Sequence, residues 1–187
     1  MLKNAFTKIA VIAAVGAMSQ AALAQDGQVN FVGEITDSVC SIAPESMNLT
    51  VPLGKVSKNA FPTVGTGSSL AKFTLNLRDC PVTANKAKVT FSGTADKINA
   101  ELLAIELSNG TGNPTAKGVG IEISDWEAVK IPLGQASRDY LIAQGSNDLQ
   151  FRARYISTLP LTPAAANGPA LTPGTANGSA QFTVAYN

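Results

Sequence analysis

The stretch Gly27–Ile35 is the feature that most constrains the fold of this chain. Apolar or small side chains occupy every second position of it, and the positions between them are mostly polar. The alternating set is Gly27, Val29, Phe31, Gly33 and Ile35. Successive side chains of a β-strand point to opposite faces, so the pattern predicts a strand with one apolar face. This strand precedes the first cysteine, and no turn signal joins it to a hairpin partner.

Residues 1–24 are typical of a secretory signal. Two lysines make a positive start, Ile9–Ala17 is a short apolar core, and Ala22-Leu23-Ala24 is a small-residue cleavage site. The apolar run is shorter than the roughly 20 residues that a membrane-spanning helix needs. We therefore expect cleavage after this site and export of a single-domain mature chain that starts at Gln25.

The charge balance argues against nucleic-acid binding. The chain carries 14 Lys and Arg against 13 Asp and Glu, so it lacks the basic surface that nucleic acids require. Only 14% of its residues are charged, compared with about 25% in ordinary soluble domains. Sparse charge with many Thr, Ser, Asn, Gly and Ala residues favours β structure whose surfaces are largely covered.

Short runs with the strand period recur along the mature chain. They are Phe73–Leu77, Val89–Phe91, Gly118–Ile123, Leu149–Tyr155 and Ala180–Tyr186. Glu101–Leu107 fits either a strand or one helical turn, because its periodicity favours neither. Thr63–Ser69 is predicted as a flexible loop, and 160–178 as a long one. Several short strands without a convincing amphipathic helix predict an all-β sandwich.

The strands at the two ends of the mature chain are both half-apolar. The final strand has no charged side chain from Ser179 onward. Soluble monomers usually protect an exposed strand edge with charge or proline. We therefore expect these edges to be paired.

Cys40 and Cys80 are the two cysteines of the chain. In an exported protein they most simply form one disulfide, and two free thiols are the alternative. A zinc site would lack two ligands, and the chain has no histidine.

The order of several motifs carries a family resemblance. They are Val29–Glu34 before the first cysteine, the spacing of Cys40 and Cys80, Leu53–Val56, Phe73–Cys80, Val89–Thr94, Gly118–Ile121, Phe151–Tyr155, and an ending with Gly174 and the penultimate Tyr186. In this order they resemble the pilin subunits of chaperone–usher fimbriae, especially the major rod subunits of the type 1 kind. The resemblance covers nearly the whole mature sequence.

The resemblance implies an incomplete immunoglobulin-like sandwich that lacks its last strand. A donor strand from another subunit or from a chaperone would complete it, which is a known form of strand addition to a sheet edge. The implied organisation is a signal peptide (1–24), a donor-strand extension (25–39) and a pilin domain (40–187). Within the extension, Gly27, Val29, Phe31, Gly33 and Ile35 would enter the neighbour's groove.

The carboxyl end is implied to form the edge that faces the chaperone and the groove. The residues concerned are Gly174, Ala180, Phe182, Val184, Tyr186 and Asn187, the last supplying the terminal carboxylate. The implied partners are identical or related pilin subunits, a periplasmic chaperone and an outer-membrane usher. The chain would pass through the periplasm to a surface fimbria that serves cell adhesion, and a host receptor contacted through the fibre is left open.

The sequence offers little for catalysis. Without histidine, Ser-His-Asp and Cys-His mechanisms are excluded, and no cofactor or metal is expected. Asp125 and Glu127 could be imagined as paired carboxylates, but a polar loop between strands is the favoured interpretation.

Two other functions remain to be separated from a structural rod subunit. One is a minor tip or adaptor subunit, or a receptor-binding pilin, of the same system. The other is a self-complete secreted sandwich that binds small ligands. Subunit abundance in fibres distinguishes the first, and a stable monomer that folds without a chaperone would indicate the second.

Overall fold

A computed structural model describes residues 29–33, 39–107 and 114–186. Gly27, Ile35 and Asn187, which the sequence assigns to binding edges, lie outside the described residues. The chain divides into two units, Met1–Ile35 and Thr36–Asn187. In the first unit, residues 29–33 belong to no helix or strand, and the side chains of Val29, Phe31 and Val32 are exposed.

The second unit is built from nine strands with little helix in its described part. In chain order, the elements are β1 (Ser41–Ile42), α1 (Pro44–Met47), a 3-10 turn (Lys58–Ala60), β2 (Ala71–Cys80), β3 (Lys86–Gly93), β4 (Leu103–Ala104), β5 (Val119–Asp125), β6 (Lys130–Ile131), β7 (Tyr140–Leu141), β8 (Gly145–Ser157) and β9 (Ala180–Tyr186). None of the helices in the described ranges is long and apolar enough to cross a membrane.

The strands form two antiparallel sheets. The larger sheet has the order β1-β2-β8-β5-β4, with β6 also paired to β5, and the smaller has the order β7-β3-β9. The longest ladder joins β2 to β8 and sets Phe73 opposite Phe151 and Leu75 opposite Leu149. The last strand pairs with β3 along its whole length, from Gly93–Ala180 to Ala87–Tyr186. The predicted all-β sandwich is confirmed.

The core lies between the two sheets and is closed by aromatic rings. Phe73 and Phe151 of the larger sheet stack with ring centroids 5.5 Å apart. Phe91 of the smaller sheet meets Phe151 edge-on at 5.1 Å. Leu75, Leu77, Val89, Leu149 and Phe151 are each at most 2% exposed. Every one of these residues lies on the apolar face of an alternating run, which is why the sequence pattern located the strands.

The segment Thr63–Ser69, predicted as a flexible loop, is instead held against the end of β8. The Gly65 amide donates to the Ser157 carbonyl at 2.8 Å, and the Ser68 amide to the Tyr155 carbonyl at 2.9 Å. The Ser157 hydroxyl donates to the Thr63 carbonyl at 2.7 Å. Buried backbone groups need such partners, so the loop completes the ladder that β8 would otherwise leave open.

The long loop before β9 also packs on the domain rather than extending from it. Its Leu171 is 6% exposed and lies in an apolar cluster with Phe61, Ala116 and Val119. The loop is also held by two backbone hydrogen bonds, in which the amides of Thr172 and Lys117 each donate to the carbonyl of the other residue at 3.1 Å. The burial of Leu171 and these backbone hydrogen bonds together fix the route of the chain towards β9.

Candidate functional site

The last strand leaves one of its edges open. β9 pairs with β3 on one side, and no other described strand pairs with it. Phe182, Val184 and Tyr186 are half-buried and pack on the core, while the residues between them are exposed. An unpaired, apolar strand edge of this kind is a template for an added strand.

Beside this edge lies an open groove of about 740 Å³. Its floor is the domain core, contributed by Phe73, Leu75, Phe91, Leu103, Ile121, Ile123 and Ala153. One wall is the start of β9 with the residues before it, and the other is the segment from Ser46 to Leu53. No charged side chain occurs among its described lining residues. The groove therefore has a floor of apolar core side chains at the place where a completed sandwich would have one more strand.

The comparisons with known proteins agree with this geometry. The family model described as "Fimbrial protein" matches residues 29–187. The chain belongs to the fimbrial protein family. It is 41% identical over 180 residues to the uncharacterized fimbrial-like protein SfmA of Escherichia coli K12, covering 95% of this chain and 93% of the relative. It is 37% identical over 169 residues to the probable major fimbrial subunit LpfA of Escherichia coli O157:H7, covering 89% and 86%.

A solved structure supports the fold of this fimbrial protein independently of close sequence similarity. The crystal structure of the P pilus rod subunit PapA matches with a TM-score of 0.61 at 19% identity. The match covers 80% of this chain and all of the other. The predicted chaperone–usher pilin family and its incomplete immunoglobulin-like sandwich are therefore confirmed.

Ser46 explains why the first strand of this fimbrial protein leaves the sheet so early. The Ala43 amide donates to the Asn76 carbonyl at 2.9 Å, and the Asn76 amide donates to Ser46 Oγ at 2.8 Å. The hydroxyl also donates to Asn76 Oδ1 at 3.3 Å. The Ser46 side chain thus replaces a strand partner of Asn76 and frees residues 47–53 to form the groove wall.

We expect Ser46→Ala to destabilise the subunit by about 1–3 kcal/mol, because the Asn76 amide loses its partner where water is excluded. Ser46 is 1% exposed. Urea unfolding of the disulfide-bonded chain measures the change. Ser69→Ala, at an exposed position, is the matched control and should stay within about 0.5 kcal/mol of wild type. Equal midpoints for the two variants would contradict this role of Ser46.

The far end of β9 is joined to the start of the domain. Tyr186 Oη donates to the Cys40 carbonyl at 3.3 Å, and burial raises the pKa of this hydroxyl. The hydroxyl therefore stays protonated as a donor at neutral pH. Cys40 forms the predicted disulfide with Cys80 at the end of β2. The disulfide and the hydrogen bond together hold Cys40 against the ends of β2 and β9.

The structure brings together part of the predicted carboxyl-terminal site. Ala180 and Phe182 line the groove, whereas Val184 and Tyr186 pack against the main core. Gly174 lies elsewhere, in a second pocket, where a Cβ would stand 2.2 Å from the Pro114 carbonyl oxygen. This glycine is required by the close approach of two backbone segments, and it is not among the residues that line the groove.

Sequence reasoning missed one wall of the groove and part of its floor. Ile121 and Ile123 carried a signal, since they form the apolar face of a predicted strand. The wall segment from Ser46 to Leu53 also carried a signal, because Met47, Leu49, Val51 and Leu53 occupy every second position, yet residues 48–53 belong to no strand. Its role depends on contacts with β2, which lies about 30 residues further along the chain.

The paired carboxylates form a polar turn between β5 and β6, as the favoured interpretation predicted. Asp125 Oδ1 accepts from the amides of Glu127 and Val129 at 2.9 Å each, and its Oδ2 accepts from Arg138 Nε at 2.8 Å. Arg138 also pairs with Glu127 at 2.7 Å, which raises the pKa of the guanidinium. Among the described residues, no group of three His, Cys, Asp or Glu side chains is arranged to hold a metal ion.

Proposed function

We propose that this protein is a structural rod subunit of a chaperone–usher fimbria that polymerises by donor-strand exchange. The observation that carries the proposal is the open groove, whose floor is formed by core residues of a fimbrial-family domain and which lies beside the unpaired edge of β9. A groove with an apolar floor and a free backbone edge suits an extended strand better than a compact ligand.

The donor is the extension 25–39 of another copy, with Gly27, Val29, Phe31, Gly33 and Ile35 facing the groove. Val29 and Phe31 are 75% and 94% exposed, so they have apolar surface left to bury. Burial of three large side chains contributes about 5–9 kcal/mol, and backbone hydrogen bonds along β9 add to this. Because ordering the extension costs about 1–2 kcal/mol per residue, the durability of each joint rests largely on slow strand release.

Assembly by donor-strand exchange also gives a role to the remaining parts of the chain. Residues 1–24 direct export to the periplasm, and a periplasmic chaperone covers the groove until an outer-membrane usher receives the subunit. The edge formed by Phe182, Val184 and Tyr186 faces the chaperone. Strand exchange needs no catalytic residue and no cofactor, which agrees with a family of structural pilins.

Subunit abundance separates a rod role from a tip or adaptor role. We expect mass spectrometry of fibres sheared from the producing cells to find this chain as the predominant protein. We also expect deletion of its gene to remove the fibres from electron micrographs of the cell surface. A few copies per fibre, or normal fibres after the deletion, would contradict the rod assignment.

A further inference from the structure

A second pocket with different chemistry lies next to the groove. The second pocket has a volume of about 280 Å³ and an apolar floor that includes Phe61, Val119 and Leu171. Leu53 and Gly178 line the groove, and the adjoining residues Gly54 and Asn177 line the second pocket. The two cavities are therefore neighbours at the end of the groove where β9 begins.

This second pocket is positively charged. Lys55 and Lys58 are its charged lining residues, no described acid lines it, and both lysines are exposed. Neither lysine forms an ion pair with a described residue. We call this cavity the lysine pocket. It adds two unneutralised cations at one end of a groove with no charged side chain among its described lining residues.

The extension that we propose as donor has the opposite charge. Residues 25–39 contain Asp26, Glu34 and Asp37 and no lysine or arginine. Val29–Ile35 has the same number of residues as β9, so its alternating face covers the open edge from end to end. Asp26 and Asp37 then fall beyond the ends of the groove, whereas Glu34 lies within the added strand on its opposite face.

The direction of the added strand decides which acid meets the lysines. Every ladder between the described strands is antiparallel. An antiparallel donor brings Ile35 to the Ala180 end of β9, and Asp37 then lies about 7 Å further on, towards the lysine pocket. Asp37 also shares the strand face of Val29, Phe31 and Ile35, because side chains alternate. Asp26 lies at the other end and on the opposite face.

We propose that Asp37 of the incoming copy binds in the lysine pocket and pairs with Lys55 and Lys58. The inference rests on the proposed function. It adds a salt bridge between neighbouring subunits at one end of each inserted donor strand. Charge complementarity of this kind fixes the register of the strand and speeds its encounter with the groove. An apolar strand with period two could otherwise slip by two residues and still bury one face.

Charge reversal in the full mature chain tests the salt bridge of Asp37 with Lys55 and Lys58. Assembly is followed by light scattering of the refolded, disulfide-bonded chain at low salt. We expect Asp37→Lys and the double variant Lys55→Glu with Lys58→Glu each to slow assembly about five- to tenfold. Combining all three changes in one chain should restore the rate to within about twofold of wild type. The single defects should shrink in 1 M salt, where the screening length falls to about 3 Å.

Matched controls distinguish the loss of this salt bridge from a general effect of the changed charge. Asp26→Lys changes the same extension at the other end, and the double variant Lys72→Glu with Lys97→Glu changes two exposed lysines outside both cavities. We expect both controls to assemble at the wild-type rate. If the triple variant is as slow as the separate charge-reversal variants, or if Asp26→Lys is as slow as Asp37→Lys, the inference is overturned.

Two further measurements keep a negative result informative. If the Lys55→Glu and Lys58→Glu chain fails to fold, the pair Lys55→Gln with Lys58→Gln replaces it, and its assembly rate should lose most of the salt dependence of wild type. A chain without residues 25–39 is assayed in parallel. Unchanged assembly of that chain would overturn the proposed function, whereas extension-dependent assembly that ignores the charge swap overturns the inference alone.

Discussion

Deletion of Gln25–Val39 is expected to abolish fibre growth while leaving the domain able to accept a donor. The deletion removes the alternating apolar face that we assign to the neighbour's groove, but it removes no residue of that groove. The shortened gene still encodes residues 1–24, which we propose as the export signal. Electron microscopy of cells that produce only the truncated chain should find no fibres.

Mixing the truncated and complete chains sharpens this prediction. A chain that accepts but cannot donate enters a fibre only at one end, so fibres should become shorter as its proportion rises. Two point variants provide a matched pair, because Phe31 and Val32 are 94% and 97% exposed but lie on opposite faces of the alternating run. Phe31→Asp should block assembly and Val32→Asp should permit it. Repeated incorporation of the truncated chain along fibres would refute the donor assignment.

Removal of the disulfide is expected to cost about 4 kcal/mol of unfolding free energy. Cys40 and Cys80 are 40 residues apart, and closing a loop of that length restricts the unfolded chain by about this amount. The structure adds a local reason, because β1 contributes only two residues to the sheet and the Tyr186 hydroxyl depends on the Cys40 carbonyl. We expect Cys40→Ser with Cys80→Ser to lower the urea midpoint strongly.

The reduced wild-type chain is the control for this variant. The experiment compares both with the oxidised chain, each complemented with a saturating peptide of residues 25–39. The variant and the reduced chain should unfold at similar urea concentrations, well below that of the oxidised chain. A loss of less than about 1 kcal/mol in the variant would mean that the packing of β1 and β2 holds this corner of the domain without the disulfide.

Much of this fold could be predicted because its long strands carry their own pattern. In β2 and β8 apolar residues alternate with polar ones, and the two strands pair with Phe73 opposite Phe151. Glu101–Leu107 could not be resolved in this way, since only two of its residues pair, and they do so with β5. The docked segment Thr63–Ser69 was predicted as flexible because its hydrogen bonds run to β8, far along the chain.

The candidate site likewise has features that the sequence predicted and features that it could not predict. The alternation of Phe182, Val184 and Tyr186 and the lack of charge after Ser179 already indicated a strand that needs a partner. Gly174 was assigned to that edge by resemblance, yet its position follows from backbone contact with Pro114, which no local pattern reveals. The lysine pocket likewise forms only when the 54–58 segment folds beside the loop before β9.

The sequence by itself determined the β class, the cysteine pair, and the apolar alternation of Gly27–Ile35 and Ala180–Tyr186. These features follow from side-chain period, composition and cysteine number, which are local properties. Only the tertiary structure decided which edge stays open and what borders it. Ser46 bonds to Asn76 across 30 residues where the chain leaves the sheet, and the segment that follows forms one wall of the open groove beside β9.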